Sequence, residues 1–285
     1  MSEYGTLYVI ATPIGNLADI TLRALQIIKN VKTLYAEDTR VTLRLLEHYG
    51  IQAKLQSLHD FNESNKISSV IEQIQAGADL GLVSDAGTPL ISDPGYRLVS
   101  AAQAAGICVR PIPGASALTA ALSAAGLPTD RFIFEGFLPK SSTERQKRFK
   151  ALLFEPRTMV FYESPQRIQA AIEDCLAIMG GDRKAALMRE LTKHYEQHIC
   201  ADLKQINQQL TQQSKKVRGE IVFILHGNDA PEDAAVVDEA KRLLTDLQPH
   251  MSLKEAAAIV ATHTGLRRNQ LYSMGIANES SNKDE

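Results

Sequence analysis

Apolar positions along the first 120 residues fall into short runs separated by segments whose apolar residues recur three and four apart. The runs at 7–11, 31–36, 54–58, 80–84 and 107–112 are rich in aliphatic and β-branched residues and predict strands. Among the intervening segments, Ile67, Val70, Ile71 and Ile74 share one face of a helix that Phe61 and Asn62 lead into and Gly77 stops. Strands alternating with helices predict a mostly parallel sheet covered by helices. Any ligand of such a sheet lies beyond the carboxyl ends of its strands.

Beyond residues 114–126 the runs return at 131–137, 158–163, 185–190 and 220–226, again with helical segments between them. Ser164 and Pro165 have the chemistry of a helix start, serine as N-cap and proline in the first turn, ahead of Ile168, Ala171, Ile172 and Leu176. Gly180 and Gly181 end that helix. From about Glu232 the pattern is purely helical, and the last ten residues are polar. The expected organisation is therefore an α/β domain over 1–118, a second α/β domain over 119–230, and a helical extension with a polar tail over 231–285.

Composition narrows the class. Of 285 residues 44% are hydrophobic and 22% charged, values of a packed globular protein. The three cysteines, Cys108, Cys175 and Cys200, are odd in number and far apart, which points to a reducing compartment and away from a zinc ribbon. The N-terminus carries no basic segment ahead of a long apolar stretch, and no run approaches a membrane span. The cytoplasm is thus the expected location, with neither metal nor membrane involved. Net charge is −2, so a nucleic-acid partner requires locally concentrated positive charge.

The most informative stretch is 84–95, which follows a buried strand directly and contains Asp85, Gly87, Pro89, Asp93, Pro94 and Gly95. Two glycines and two prolines shape a loop that a ligand can approach closely, and Asp85 and Asp93 offer carboxylates to an ammonium or hydroxyl group. The bland alternative is an ordinary strand-to-helix turn. Thr12-Pro13-Ile14-Gly15-Asn16-Leu17 holds the matching place after the first strand and lacks the dinucleotide fingerprint. Pro113-Gly114-Ala115-Ser116-Ala117 holds it after the fifth, where small residues meet a helix start. Three such loops converge on one pocket.

Taken together, the segments 12–21, 36–40, 84–95, 113–117, 161–165 and 189–193 resemble, in order, the motifs of the ribosomal RNA small subunit methyltransferase I family. The resemblance runs from about Gly5 to Gly227. It implies the tetrapyrrole-methylase fold, two α/β domains enclosing S-adenosylmethionine, with transfer of a methyl group to the ribose 2′-hydroxyl of a cytidine in the decoding region of 16S rRNA. It also implies a homodimer and the small ribosomal subunit as partner. By motif, Pro13, Gly15, Asp85, Gly87, Pro89, Ser116 and Ala117 would hold the cofactor from the first domain, with Tyr162 and His226 facing it from the second. Aromatic and histidine residues at strand ends also merely cap cores. Glu37, Asp38 and Arg40 after the second strand, and Glu190 and Lys193 after 185–190, are candidates to assist a weakly acidic ribose hydroxyl. Structural salt bridges are the equal alternative, and no base is singled out.

Two basic segments complete the reading. Lys140, Arg145, Lys147, Arg148 and Lys150 set five positive charges against Glu144 on a helix beginning near Ser141, either a phosphate-binding face or a solvated surface. At the C-terminus a capping-box pattern at Ser252 leads to Gly265 and then Arg267 and Arg268, a helix-turn-helix-like hairpin that either grips RNA or caps a core. A carbon methyltransferase of corrin or sirohaem synthesis, and a non-catalytic nucleic-acid-binding protein, are the competing readings.

Overall fold

The computed structural model describes residues 4–212, 219–228, 232–266, 268–269, 271–272 and 274–275. Two compact units result: Met1–Lys150 with Arg157–His226, and Ala151–Pro156 with Gly227–Glu285.

The larger unit holds two five-stranded sheets. In the first, β1 (Thr6–Ile10), β2 (Thr33–Ala36), β3 (Leu55–Ser57), β4 (Leu80–Val83) and β5 (Cys108–Ile112) lie in the order β3-β2-β4-β1-β5, and every pairing is parallel. The central strands β2 and β4 are buried at every position, as expected of a parallel sheet covered on both faces. Strand β5 is largely exposed and carries Pro111, which an edge strand accommodates because it needs fewer ladder donors. Helices α1 (Leu22–Asn30), α2 (Thr39–His48), α3 (Glu63–Gln75) and α4 (Tyr96–Ala104) connect these strands. The helix expected from Ile67 to Ile74 is α3, with Val70 and Ile74 in its core. Because all five strands run the same way, the loops after β1, β2, β4 and β5 emerge at one edge.

After α5 (Ala117–Ala124) the second sheet forms from β6 (Phe132–Phe137), β7 (Thr158–Glu163), β8 (Lys184–Arg189), β9 (Gln197–Asp202) and β10 (Ile221–Leu225) in the order β6-β7-β10-β8-β9. Here β10 is antiparallel to both neighbours, with Ile221 opposite Glu163 and Arg189. The carboxyl ends of β7 and β8 therefore share an edge with the start of β10. Helices α6 (Ser142–Ala151), α7 (Ile168–Met179) and α8 (Leu203–Gln212) accompany this sheet.

Two local expectations change. Strand β9 had no hydrophobic run to announce it, because only Ile199 among its residues is buried. Helix α7 begins a turn later than serine-capping predicts. The Ser164 hydroxyl accepts from Arg167 Nε instead, and the Ser164 carbonyl takes the first helical donors.

The smaller unit contains α9 (Glu232–Leu247) and α10 (Leu253–Thr264), packed through Ala240, Leu244, Ala257 and Val260. Ser252 and Glu255 form the reciprocal capping box, and Gly265 ends α10 in left-handed conformation. Replacing Ser252 by alanine should cost about 1 kcal/mol in the amide-exchange protection of α10. Arg268 donates to the Lys254 carbonyl at 3.2 Å, while Arg267 lies outside the described residues. No helix among the described residues is long and apolar enough to cross a membrane.

Candidate functional site

The loops at the carboxyl edge of the first sheet and the matching edge of the second enclose a cavity of about 270 Å³. The first sheet contributes Ile14 after β1, Glu37 after β2, residues of the 84–95 loop after β4, and Ser116 and Ala117 after β5. Phe137, Tyr162, Glu163, Met188, Leu191 and the start of β10 supply the opposite wall.

Hydrogen bonds join the loops to one another. Thr12 N donates to the Gly87 carbonyl at 2.9 Å and Gly87 N returns a bond to Thr12 at 3.1 Å. Asp38 N donates to Asp85 Oδ1 at 2.9 Å, and Thr88 Oγ1 donates to the Ala115 carbonyl at 3.1 Å. Among the described residues, the non-glycine positions with positive φ are Leu90 (72°), Ser92 (68°), Glu190 (53°) and Thr192 (67°). All four lie on the loops after β4 and β8, and strain concentrated in this way is characteristic of a binding site.

The Gly87 backbone, at φ 82°, is left-handed, and an added Cβ would lie 3.3 Å from Ile14 Cγ2. Gly87→Val should cost about 2 kcal/mol in stability through backbone strain and crowd the cavity. Thermal unfolding with and without ligand would separate the two effects.

The mouth is acidic. Burial, then the charges of Asp85 and Asp93, raise Glu37 above the usual carboxylate range. Asp85 is likewise raised by burial. Burial pushes Asp93 to about 6 against a hydrogen bond from Ser84, with Asp85 and Asp60 adding repulsion. On the facing wall, Glu163 is 2% exposed. Its Oε1 accepts from Ser164 N and Arg167, both at 2.6 Å, and its buried Oε2 has no hydrogen-bond partner.

Of the residues expected to hold a cofactor, Asp85, Gly87, Ser116, Ala117 and Tyr162 line this cavity. Pro13 and Pro89 are buried and do not line it, and Gly15 faces Lys193 instead. His226 requires correction. Strand β10 enters the site at Ile221 and runs away from it, so His226 stands at the far edge, about 17 Å along the strand. Its backbone nitrogen donates to Lys184, at the opposite end of β8.

The expected catalytic residues divide. Glu37 lines the cavity, whereas Asp38 is held at about 2 by the Arg40 guanidinium beside it. Lys193 Nζ bridges Glu190 Oε1 at 2.8 Å and Glu220 Oε2 at 2.7 Å. Burial disfavours the ammonium, but the two carboxylates outweigh it and raise Lys193, favouring its charged form.

The basic helix also needs correction. Arg145 is 4% exposed and points inward, donating to Asp174 Oδ2 at 2.9 Å from Nε and to the Lys140 carbonyl at 2.8 Å. Arg148 pairs with Glu135. Lys140, Lys147 and Lys150 are the exposed cations that remain on this segment. No cluster of three metal-ligand side chains occurs among the described residues.

Sequence reasoning did not single out Ile91, Phe137, Glu163, Met188, Leu191 or Glu220. Ile91, Glu163 and Leu191 lie within the resembling segments 84–95, 161–165 and 189–193 without a role of their own, and Phe137, Met188 and Glu220 have no local signature. Pairing β10 against β7 and β8 brings Glu163, Met188, Leu191 and Glu220 to one edge, while Phe137 ends β6 and Ile91 lies on the loop after β4.

A two-sheet body with a cavity at facing strand edges is the architecture of the tetrapyrrole methylases, and the family model described as Tetrapyrrole (Corrin/Porphyrin) Methylases matches residues 6–207. Diphthine synthase has a similar solved structure, with TM-score 0.59 at 17% identity over 78% of this chain and 90% of that one. The chain belongs to the ribosomal RNA small subunit methyltransferase I family. It is 48% identical over 273 residues to the member from Pseudomonas aeruginosa, covering 95% of this chain and 97% of the relative. With the Escherichia coli O157:H7 member it shares 46% identity over 275 residues, 96% of each chain. A second model, the RsmI C-terminal HTH domain, matches residues 234–279. The chain is accordingly a methyltransferase.

Proposed function

We propose that this protein uses S-adenosylmethionine to methylate the ribose 2′-hydroxyl of a cytidine in the decoding region of 16S rRNA. The observation that carries the reading is near-full-length identity to proteins named for small-subunit rRNA methylation, whose motifs coincide with the loops of the cavity. The residues fit the cofactor. Glu37, Asp85 and Asp93 suit a ligand with net positive charge, and the unpartnered Glu163 Oε2 suits a donor group. Ile14, Leu191, Ile221 and Val222 offer an apolar wall to a purine ring.

When bound, the cofactor supplies an electrophilic methyl group. The chain's contribution is alignment and exclusion of water, achieved by loops already bonded to one another. Lys140, Lys147 and Lys150 provide a phosphate-facing strip for RNA, and the terminal hairpin a second contact through Arg267 and Arg268. Near-full-length identity to relatives named for small-subunit rRNA methylation is what ranks this reading above a carbon methyltransferase of corrin synthesis. The active form is a homodimer in the cytoplasm.

The test is transfer of labelled methyl from S-adenosylmethionine to small subunits isolated from cells lacking this protein. Incorporation into 16S rRNA is expected, and labelling of a precorrin-type substrate in its place would reverse the assignment.

A further inference from the structure

A second cavity adjoins the first and shares Ile14 and Ser116 with it. Its chemistry differs. Asp19 enters from the turn after β1, Thr192 from the loop after β8, and Ser116, Thr119 and Ser123 from one face of α5. These residues and the small apolar ones beside them include no cation, so neither phosphate nor a carboxylated macrocycle finds a charge partner there. One carboxylate among hydroxyls is instead the inventory that binds sugar hydroxyls.

Two of those groups lack partners. Asp19 Oδ2 and Thr192 Oγ1 are sealed from water, and neither makes a hydrogen bond. Such atoms are costly in a folded protein, and they mark this wall as one that packing alone does not explain. Asp19 as a whole is only half-buried and lines the cavity, so its other oxygen, Oδ1, is the one a ligand can reach. Thr192 is held in left-handed backbone at φ 67°, with its nitrogen donating to Glu196 at 2.6 Å.

We infer that this second cavity is the acceptor subsite, where Asp19 accepts a hydrogen bond from a ribose hydroxyl of the RNA nucleotide beside the hydroxyls of Ser116, Thr119 and Ser123. The inference rests on the rRNA methyltransferase reading. Asp19 acts here as a positioning residue: it orients the hydroxyl beside the first cavity, whose own carboxylates serve the cofactor. The same ribose chemistry exists on the nucleoside of the methyl donor, and the test separates the two sources.

Equilibrium binding would be measured for an RNA fragment spanning the methylated nucleotide, with either ribose or 2′-deoxyribose at that position. Wild-type protein, Asp19→Ala, Asp19→Asn and Ser123→Ala would be compared, with S-adenosylhomocysteine titrated in parallel. Wild type should prefer the ribose form roughly 10- to 100-fold, the worth of a hydrogen bond to a charged group. Asp19→Ala should lose most of that preference, Asp19→Asn should keep part of it, and affinity for S-adenosylhomocysteine should be unchanged in both. An undiminished preference in Asp19→Ala overturns the inference. So does a parallel loss of S-adenosylhomocysteine binding, which would give the cavity to the donor's own ribose. Failure of the wild type to bind S-adenosylhomocysteine at all would instead refute the underlying functional reading. Ser123→Ala, a milder change on α5, should reduce the preference in the same direction, so the answer does not depend on one variant folding.

Discussion

Affinity for S-adenosylmethionine should fall by tenfold or more as pH is lowered from 7.5 to 5, while affinity for S-adenosylhomocysteine falls much less. The donor carries one more positive charge than its product, and the cavity meets it with Glu37, Asp85 and Asp93. All three are raised by burial, and Asp93, at about 6, is the one whose protonation competes with the ligand just below neutrality. The sign is fixed: a cation binds the ionised site, which exists above the raised values and disappears below them. Asp85→Ala should weaken donor binding roughly 10- to 150-fold at pH 7.5, since it removes a charge and also frees the Asp38 amide. Isothermal titration at the two pH values measures both effects, and equal pH dependence for donor and product would contradict the charge argument. Stability runs the other way. Because the folded-state value of Asp93 is raised, its favourable contribution is complete below the ordinary carboxylate range and is lost as pH rises through about 6. Asp93→Asn should therefore raise the melting temperature at pH 7.5 more than at pH 4 while impairing the site, a direct exchange of stability for function.

Arg145→Ala should destabilise the larger unit by about 3–5 kcal/mol, the usual cost of leaving one member of a buried ion pair alone. The side chain joins α6 to α7 through Asp174, which also accepts from Ser142 at 2.7 Å and Gln146 at 2.8 Å. Burial works against the carboxylate, yet these donors hold Asp174 below its ordinary range. Its contribution is thus present above that range and lost as pH falls through the depressed value. Thermal unfolding should show a fall of roughly 10 °C or more for Arg145→Ala. The double replacement Arg145→Met with Asp174→Leu should recover much of it, because an apolar pair leaves no charge buried. RNA affinity should follow stability in these variants, whereas Lys147→Ala should lower RNA affinity and its salt dependence with no loss of stability.

These residues also mark what a sequence can and cannot convey. The strand at 80–84 was legible because central parallel strands are continuous apolar runs, and the 84–95 loop because glycine, proline and aspartate gather there after a buried strand. Inward or outward orientation was not legible for Arg145. Its neighbours on the helix are as polar as those of any solvated face, and only Asp174, 29 residues away, decides the matter. His226 misled for a topological reason: a residue just after a strand lies near a site only if the strand runs toward it, and β10 runs away. Glu163 and Asp19 lie within the resembling segments 161–165 and 12–21 without a role of their own there, and only the folded chain places them among cavity-lining residues.

Ribose methylation mapped nucleotide by nucleotide across 16S rRNA, in cells deleted for this protein and complemented with wild-type or Asp85→Ala copies, tests the account most directly. One mark in the decoding region should vanish on deletion, return with the wild-type copy and stay absent with an Asp85→Ala protein of normal abundance. An unchanged methylation map on deletion, or full restoration by Asp85→Ala, would contradict it.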